Sequence, residues 1–303
     1  MQDEKDASAA YKLGGGETML KRILTALVCL SLFVPSILFF EKIPLLFLSV
    51  ITILTFISSY EICGVVGVRK AFYVSVPTYL FALSSMILVS VYALQYFKMS
   101  SEAFSLFSLT LLFVYVFVIF ALSMFSNGGV RYSQACELIA TLVYVIIGFA
   151  SIIFLINGSL GSYAVWLVFI GVWLTDSGAY FVGSFWGKHK LIPEVSPKKT
   201  VEGAVGGIFG GVIGYAIYGV IINTAFDVSV NYINLLIVAV AVSIIGQAGD
   251  LIASFIKREK GIKDYGNLFP GHGGVLDRFD SAIAVAPVII LLLNFAKISI
   301  FSI

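Results

Sequence analysis

The chain has 303 residues, 59% of them hydrophobic and only 12% charged, with a formal net charge of +2. That composition excludes an ordinary soluble domain and reads as a polytopic membrane protein. So small a net charge excludes nucleic-acid binding through bulk electrostatics.

Residues 1–18 (MQDEKDASAAYKLGGGET) differ in kind from the rest of the chain. They are polar and glycine-rich and have no apolar period, so they read as a disordered tail or a remnant of expression outside the fold. The apolar run after them is too long for a signal-peptide core. A membrane-crossing helix needs about 20 apolar residues. Nine stretches qualify: 21–40, 43–67, 72–97, 103–126, 134–157, 161–186, 203–223, 231–256 and 281–301. The predicted fold is therefore all-α, one polytopic membrane domain over 19–303, with Pro35, Pro77 and several glycines loosening individual spans. Cys29, Cys63 and Cys136 lie in or at apolar runs, match no metal or disulfide spacing, and read as small buried hydrophobes.

Orientation follows from the basic residues. With the N-terminus inside, Lys21, Arg22, Arg69, Lys70, Arg131, Lys188, Lys190, Lys198, Lys199, Lys257, Arg258, Lys260, Lys263 and Arg278 all fall on the cytoplasmic side. Only Lys42, Lys98 and Lys297 fall outside, the tail lysines aside. This bias predicts nine spans, N-in and C-out.

The early spans carry little chemistry. Glu61, near the end of the second, is either a snorkelling or hydrogen-bonded acid or a functional one. Glu137 begins the fifth span, where an acid suits a helix N-terminus. The sixth span ends in WLTDSGAYFVGSFWGKHK. Asp176 lies in its inner half, with Tyr180 one turn later and Gly183 and Gly187 at helical spacing. An unpaired acid at that depth calls for a cavity, a metal or a basic partner. In the next loop, Lys198 and Lys199 precede a helix start near Glu202. They suit an anion, or they are positive-inside lysines beside a threonine cap. His189 reads as an interfacial side chain. The seventh span repeats glycine at 203, 207 and 211 and at 206, 210 and 214. Two such small-residue faces suit close helix packing, within the chain or in a homodimer. No Walker-type or dinucleotide fingerprint is present.

The densest chemistry is GQAGDLIASFIKREKGIKDYGNLFPGHGGVLDRFD, residues 246–280. Asp250, Ser254 and Arg258, with Lys257 beside it, line one helix face at four-residue spacing. Lys263 and Asp264 come next, then the turn Pro270–Gly274 containing His272, Gly273 and Gly274, then Asp277, Arg278 and Asp280. Carboxylates suit hard cations such as Mg2+, while lysine, arginine and glycine-freed N–H groups suit phosphate. A positive-inside loop explains the lysines alone. Both kinds of group together at a membrane surface point to chemistry on a metal-bound phosphate.

From Ser254 through Lys257-Arg258, Lys263-Asp264, Pro270, His272-Gly273-Gly274 and Asp277-Arg278 to Asp280, the run resembles the signature of the phosphatidate cytidylyltransferases, or CDP-diacylglycerol synthases. Ser196-Pro197-Lys198-Lys199-Thr200 resembles the family's second motif. The run around Asp176 resembles its cavity-lining segment, with Gly178 a departure. The resemblance implies CTP and a phosphatidate lipid as partners, Mg2+ with room for a second cation as cofactor, and residence in the bacterial inner membrane. It places the catalytic part in 161–303, around a polar cytoplasm-facing cavity. Asp250 and Asp277 would hold the metal, with Asp280 a third ligand or a partner of Arg278. Lys257, Arg258 and Arg278 would complete the catalytic set. Asp176, Lys198, Lys199, Ser254, Lys263, Asp264, His272, Gly273 and Gly274 would bind substrate. The lipid phosphate has a second pKa of about 6, so it attacks already ionised and leaves His272 a binding or loop-shaping role. Two rivals stand beside this reading. One is a CTP-dependent polyprenol or phytol kinase, whose alcohol nucleophile gains from a base. The other is a secondary transporter, which the lack of an internal repeat disfavours.

Overall fold

The computed structural model describes residues 31–269, 273–295 and 298–302. The N-terminal tail, Cys29, the first part of the first predicted span, and Pro270, Gly271, His272 and Lys297 lie outside the described residues. The described chain opens in helix α1 at residues 31–38, then runs α2 (Pro44–Val66), α3 (Phe72–Ala93), α4 (Ser101–Phe125), α5 (Tyr132–Asn157), α6 (Ser162–Trp186), α7 (Val201–Phe226), α8 (Tyr232–Glu259) and α9 (Leu276–Ile290). A short π-helical turn, Leu291–Phe295, extends α9. Among the described residues, seven helices, α2 to α8, are long and apolar enough to cross a membrane. The fold is all-α and polytopic, interrupted only by two small antiparallel ladders among the described residues. One joins β1 (Lys190–Ile192) to β2 (Ser196–Thr200), and the other joins β3 (Ser229–Val230) to β4 (Phe301–Ser302).

Local chemistry sets the helix ends. Pro44 stands in the first turn of α2, where its missing N–H costs nothing. Ser100, Thr200 and Asn231 cap α4, α7 and α8 by accepting N–H bonds from Ala103, Gly203 and Asn234. The ninth span departs from expectation. Its helix begins at Leu276 rather than near 281, so Asp277, Arg278 and Asp280 sit on helix rather than loop.

α5 forms the centre and packs against α2, α3, α4, α6 and α9. α4 lies at the edge, with Leu106, Leu109, Phe113 and Phe117 more than half exposed, as suits a surface against lipid tails. α6 and α7 make the closest pair. A side-chain carbon on Gly178 would lie 2.6 Å from the Gly206 carbonyl, and one on Gly210 would lie 2.5 Å from the Leu174 carbonyl. Gly203 and Gly207 meet Ala179 in the same way, while Gly211 meets Thr175 and Ser243. Both small-residue faces of α7 are thus filled from within the chain. A homodimer seam would have to use another surface.

Long-range bonds gather alternate helix ends on one side. Gln134 Nε2 donates to the Val66 carbonyl (2.9 Å), Lys260 pairs with Glu137 (2.5 Å), and Arg258 Nε donates to the Val195 carbonyl (3.3 Å). The end of α2, the start of α5, the β1–β2 hairpin and the α8–α9 loop therefore share one face of the bundle. At the other end, Asn231 N and Asn234 Nδ2 donate to the carbonyls of Ile300 and Ser299, stitching the chain's last residues to the α7–α8 connection.

Candidate active site

Most of the groups singled out in the sequence meet at the face where the hairpin and the α8–α9 loop converge. α8 presents Asp250, Ser254 and Lys257 on adjoining turns. Ser254 Oγ stands 3.4 Å from Asp250 Oδ1, and Lys199 Nζ, from β2, stands 2.5 Å from Asp250 Oδ2. The Lys199–Asp250 pair is about one-third exposed on each side, so it is open to solvent and exchange.

Asp176 on α6 is exposed, and in a membrane-crossing helix that surface needs polar company. It has that company. The charges of Asp250, Lys199 and Arg278 act on it, and those of Asp250, Asp176 and Lys257 act on Asp280. Asp176, Asp250 and Asp280 are therefore close enough for their charges to interact, with Lys199, Lys257 and Arg278 among their neighbours. One oxygen of Asp280 accepts from the Ser281 N–H (2.7 Å). Phe279, between Arg278 and Asp280, anchors this turn. Its ring packs edge-on to Phe33 and tilted against Phe149, each with centroids 5.7 Å apart. With Phe279 turned into the core, its neighbours in the helix turn elsewhere.

Asp277 has partners other than those expected of a metal ligand. Its Oδ1 takes Lys257 Nζ at 2.7 Å, and its Oδ2 accepts from the N–H groups of Tyr265 (2.8 Å) and Gly274 (2.9 Å). The pair is nearly sealed, with side-chain exposures of 10% for Lys257 and 2% for Asp277. A carboxylate so engaged organises the loop around itself. Tyr265 seals the other side. Its hydroxyl donates to the Ala253 carbonyl (3.1 Å), and its ring lies 5.3 Å from Lys257 Nζ. Burial, and then the Asp277 charge, push the phenol above its usual range, so it stays a donor.

Arg258 also departs from expectation. Its guanidinium donates to the carbonyls of Val195 (3.3 Å) and Ile262 (3.0 Å), tying the hairpin to the end of α8. One position along the helix turns a side chain by about 100°, enough to send Lys257 inward and Arg258 to the hairpin. Glu202 fixes that hairpin from below by accepting from the N–H groups of Lys188 (3.0 Å) and His189 (3.1 Å) and pairing with His189 Nδ1 (2.5 Å). The side chains of Lys198, Lys263, Asp264 and Arg278 are exposed and make no hydrogen bond or close ion pair among the described residues.

Glu61 resolves as a hydrogen-bonded acid. Buried at 2% exposure on α2, it accepts the N–H groups of Val275 (2.8 Å) and Leu276 (3.0 Å) and so caps α9 from across the bundle. The cap explains why α9 starts early. It also explains Gly274, since a side chain there would run into the Glu61 carboxylate. Gly273, at φ 84°, makes the turn that returns the chain to Phe269, whose N–H it accepts at 2.9 Å. Sequence reasoning did not find Phe279 or Tyr265. Their one signal was an aromatic ring inside an otherwise polar run.

Comparison with known proteins agrees with this arrangement. A model described as the cytidylyltransferase family matches residues 20–296. A phosphatidate cytidylyltransferase of Staphylococcus epidermidis is 33% identical over 275 residues, 91% of this chain and 99% of that protein. One of Staphylococcus aureus is 34% identical over the same shares of both chains. One of Staphylococcus haemolyticus is 40% identical over 177 residues, 58% of this chain and 66% of that protein. With a family model spanning nearly the whole described bundle and relatives aligned almost end to end, the chain belongs to the cytidylyltransferase family.

Proposed function

We propose that this chain transfers CMP from CTP to phosphatidate, giving CDP-diacylglycerol and pyrophosphate, at the cytoplasmic face of a bacterial inner membrane. The observation that carries the reading is the convergence of the Lys199–Asp250 and Lys257–Asp277 pairs at one end of a bundle of long apolar helices, with Asp176, Asp280 and Arg278 near enough for their charges to interact. A lipid phosphate and a nucleotide triphosphate are both anions, and they approach each other only where cations offset their repulsion. The relatives' name, phosphatidate cytidylyltransferase, fits that chemistry. The gathering of the basic loops on one face supports a cytoplasmic site, where CTP is found.

Mg2+ is the cofactor of this reading. Among the described residues, no three Asp, Glu, His or Cys side chains form a ready-made cage. Asp250 and Asp280 suit instead the sparse ligation Mg2+ prefers, one or two carboxylates with substrate phosphates and water completing the shell. When bound there, the ion would offset charge on the CTP phosphates. Asp277 is not needed as a ligand and holds Lys257 and the loop in place. Lys199 neutralises Asp250 before substrate arrives and turns to phosphate afterwards. Lys198, Lys263 and Arg278 are available for the lipid phosphate and the leaving pyrophosphate.

An oxygen of the lipid phosphate attacks the α-phosphorus of CTP. The bond to the bridging oxygen breaks, and pyrophosphate leaves with the electron pair. The nucleophile is mostly ionised at neutral pH, since the second pKa of a phosphate monoester is about 6, so no proton need move. The test is the product set of purified protein given labelled CTP with phosphatidate or, separately, with a polyprenol. CDP-lipid with free pyrophosphate supports the reading. Free CDP with a phosphorylated lipid alcohol would make it a kinase, and no turnover with either lipid would leave transport.

A further inference from the structure

We propose that a groove on the back of α8, between α2 and α5, is a second lipid site that binds a glycerophospholipid through its phosphodiester. At about 100° per residue, Phe255, Ile256 and Glu259 point away from the Asp250–Ser254–Lys257 face, and Lys260, just past the helix end, stands at its flank, so this groove lies behind the candidate active site and shares only Tyr265 with it. It has two joined compartments. The outer one, of about 590 Å³, is polar and lined by Arg131, Ser133, Gln134, Glu137, Lys260 and the Gly128–Gly129 backbone. The inner one, of about 180 Å³, is mainly apolar and lined by Ile62, Val65, Phe255 and Ile256, with Glu259 at its edge. Val66, Glu137 and Lys260 line both.

Polar above apolar at the end of membrane-crossing helices is the shape of a phospholipid's head and upper acyl chain. The polar wall is fixed in place. Gln134 Oε1 accepts the Arg131 N–H (3.0 Å), and its Nε2 holds the end of α2 through the Val66 carbonyl (2.9 Å). Arg131 is exposed and its guanidinium has no hydrogen bond or ion pair among the described residues. Lys260 is held over the groove by Glu137 (2.5 Å). The first turn of α5, from Tyr132, opens here and adds its free N–H groups and dipole. Two cations and a helix start on one rim favour a phosphate. Glu137 and Glu259 make the groove close to neutral overall, which points to a phosphodiester held by local bonds rather than a multiply charged anion. Tyr265 walls the inner compartment while its N–H holds Asp277, so a bound acyl chain would lie against the signature loop.

The test uses the purified full chain and native mass spectrometry at low lipid-to-protein ratio. Phosphatidylglycerol is the probe, because its phosphate is a diester and cannot serve as the nucleophile. Diacylglycerol lacks the phosphate, and glycerol 3-phosphate lacks the chains. We expect a retained phosphatidylglycerol adduct and none with the other two. The double variant Arg131→Gln, Lys260→Gln should weaken the adduct about tenfold. Val65→Phe, which fills the inner compartment without touching charge, should do the same. Unchanged retention in both variants would overturn the proposal. Equal retention of glycerol 3-phosphate would make the site one for soluble phosphates and overturn the lipid. If the double variant fails to fold, a photoreactive residue at Ser133 decides. It should crosslink to phosphatidylglycerol and be competed by it, unlike a control at Leu106 on the outer side of α4, and equal competition at the two positions would sink the idea.

Discussion

Two aspartates that look alike in the sequence, Asp250 and Asp277, differ in what surrounds them. Asp250 is half-buried and paired with an accessible lysine, while Asp277 is sealed with Lys257 and two backbone donors. Asp250→Asn should therefore lower kcat by orders of magnitude and leave the melting temperature in detergent nearly unchanged. Asp277→Asn should lower both, because it strands a buried ammonium, a loss of about 3–5 kcal/mol. Equal melting temperatures for the two variants would refute the division of roles. Glu61 and Gly274 make a second test. Gly274→Ala should impair folding because its methyl meets the Glu61 carboxylate, and Glu61→Ala should cost about 2 kcal/mol through the lost cap. The double variant should be less damaged than the sum of the two, since the first clash vanishes with the second change. Strict additivity in chemical denaturation would show that the two do not compete for space. His272→Gln should keep most of its kcat above pH 7 at saturating substrate, whereas Lys257→Ala and Arg278→Ala should not. A histidine loss that eased as pH rose would show that a proton moves in the reaction.

The helices were the most legible part of the sequence. Spans two to eight start and end within a few residues of expectation, because long apolar runs can hide their backbone polarity in lipid only as helices. α9 was misjudged because its start is set by Glu61, 215 positions from Leu276, and no local pattern records so distant a cap. The candidate site was legible as a list but not as an arrangement. The spacing at 250, 254 and 258 gave the right helix face for Asp250 and Ser254. It could not show that Lys257 turns inward while Arg258 ties down a hairpin. The α6–α7 seam was legible as small-residue packing and only its partner was open. Gly210→Leu should therefore break the fold rather than a dimer, since its side chain would meet the Leu174 carbonyl and Gly178. The expected result is loss of a monodisperse peak on size exclusion. A stable, active monomer would show that the seam has slack the structure does not suggest.

At the scale of the whole molecule, the basic loops on one face predict which side is which. Single cysteines at positions 190 and 263, both exposed, should react with an impermeant reagent only after cells are opened. Labelling of either from outside intact cells would invert the orientation and remove the site from its nucleotide. The same face also binds the two halves of the chain together. Chemistry-bearing residues lie almost wholly after residue 160, which makes the earlier helices look like passive filler. Glu61 denies them that role, because it holds the first turn of α9, and Glu137 holds the end of α8 through Lys260. The first half is in effect a clamp fitted to the second. A gene cut in the loop between α5 and α6 should therefore give two pieces that are each inert, yet regain turnover when made together in one membrane. The regain should disappear when the first piece carries Glu61→Ala.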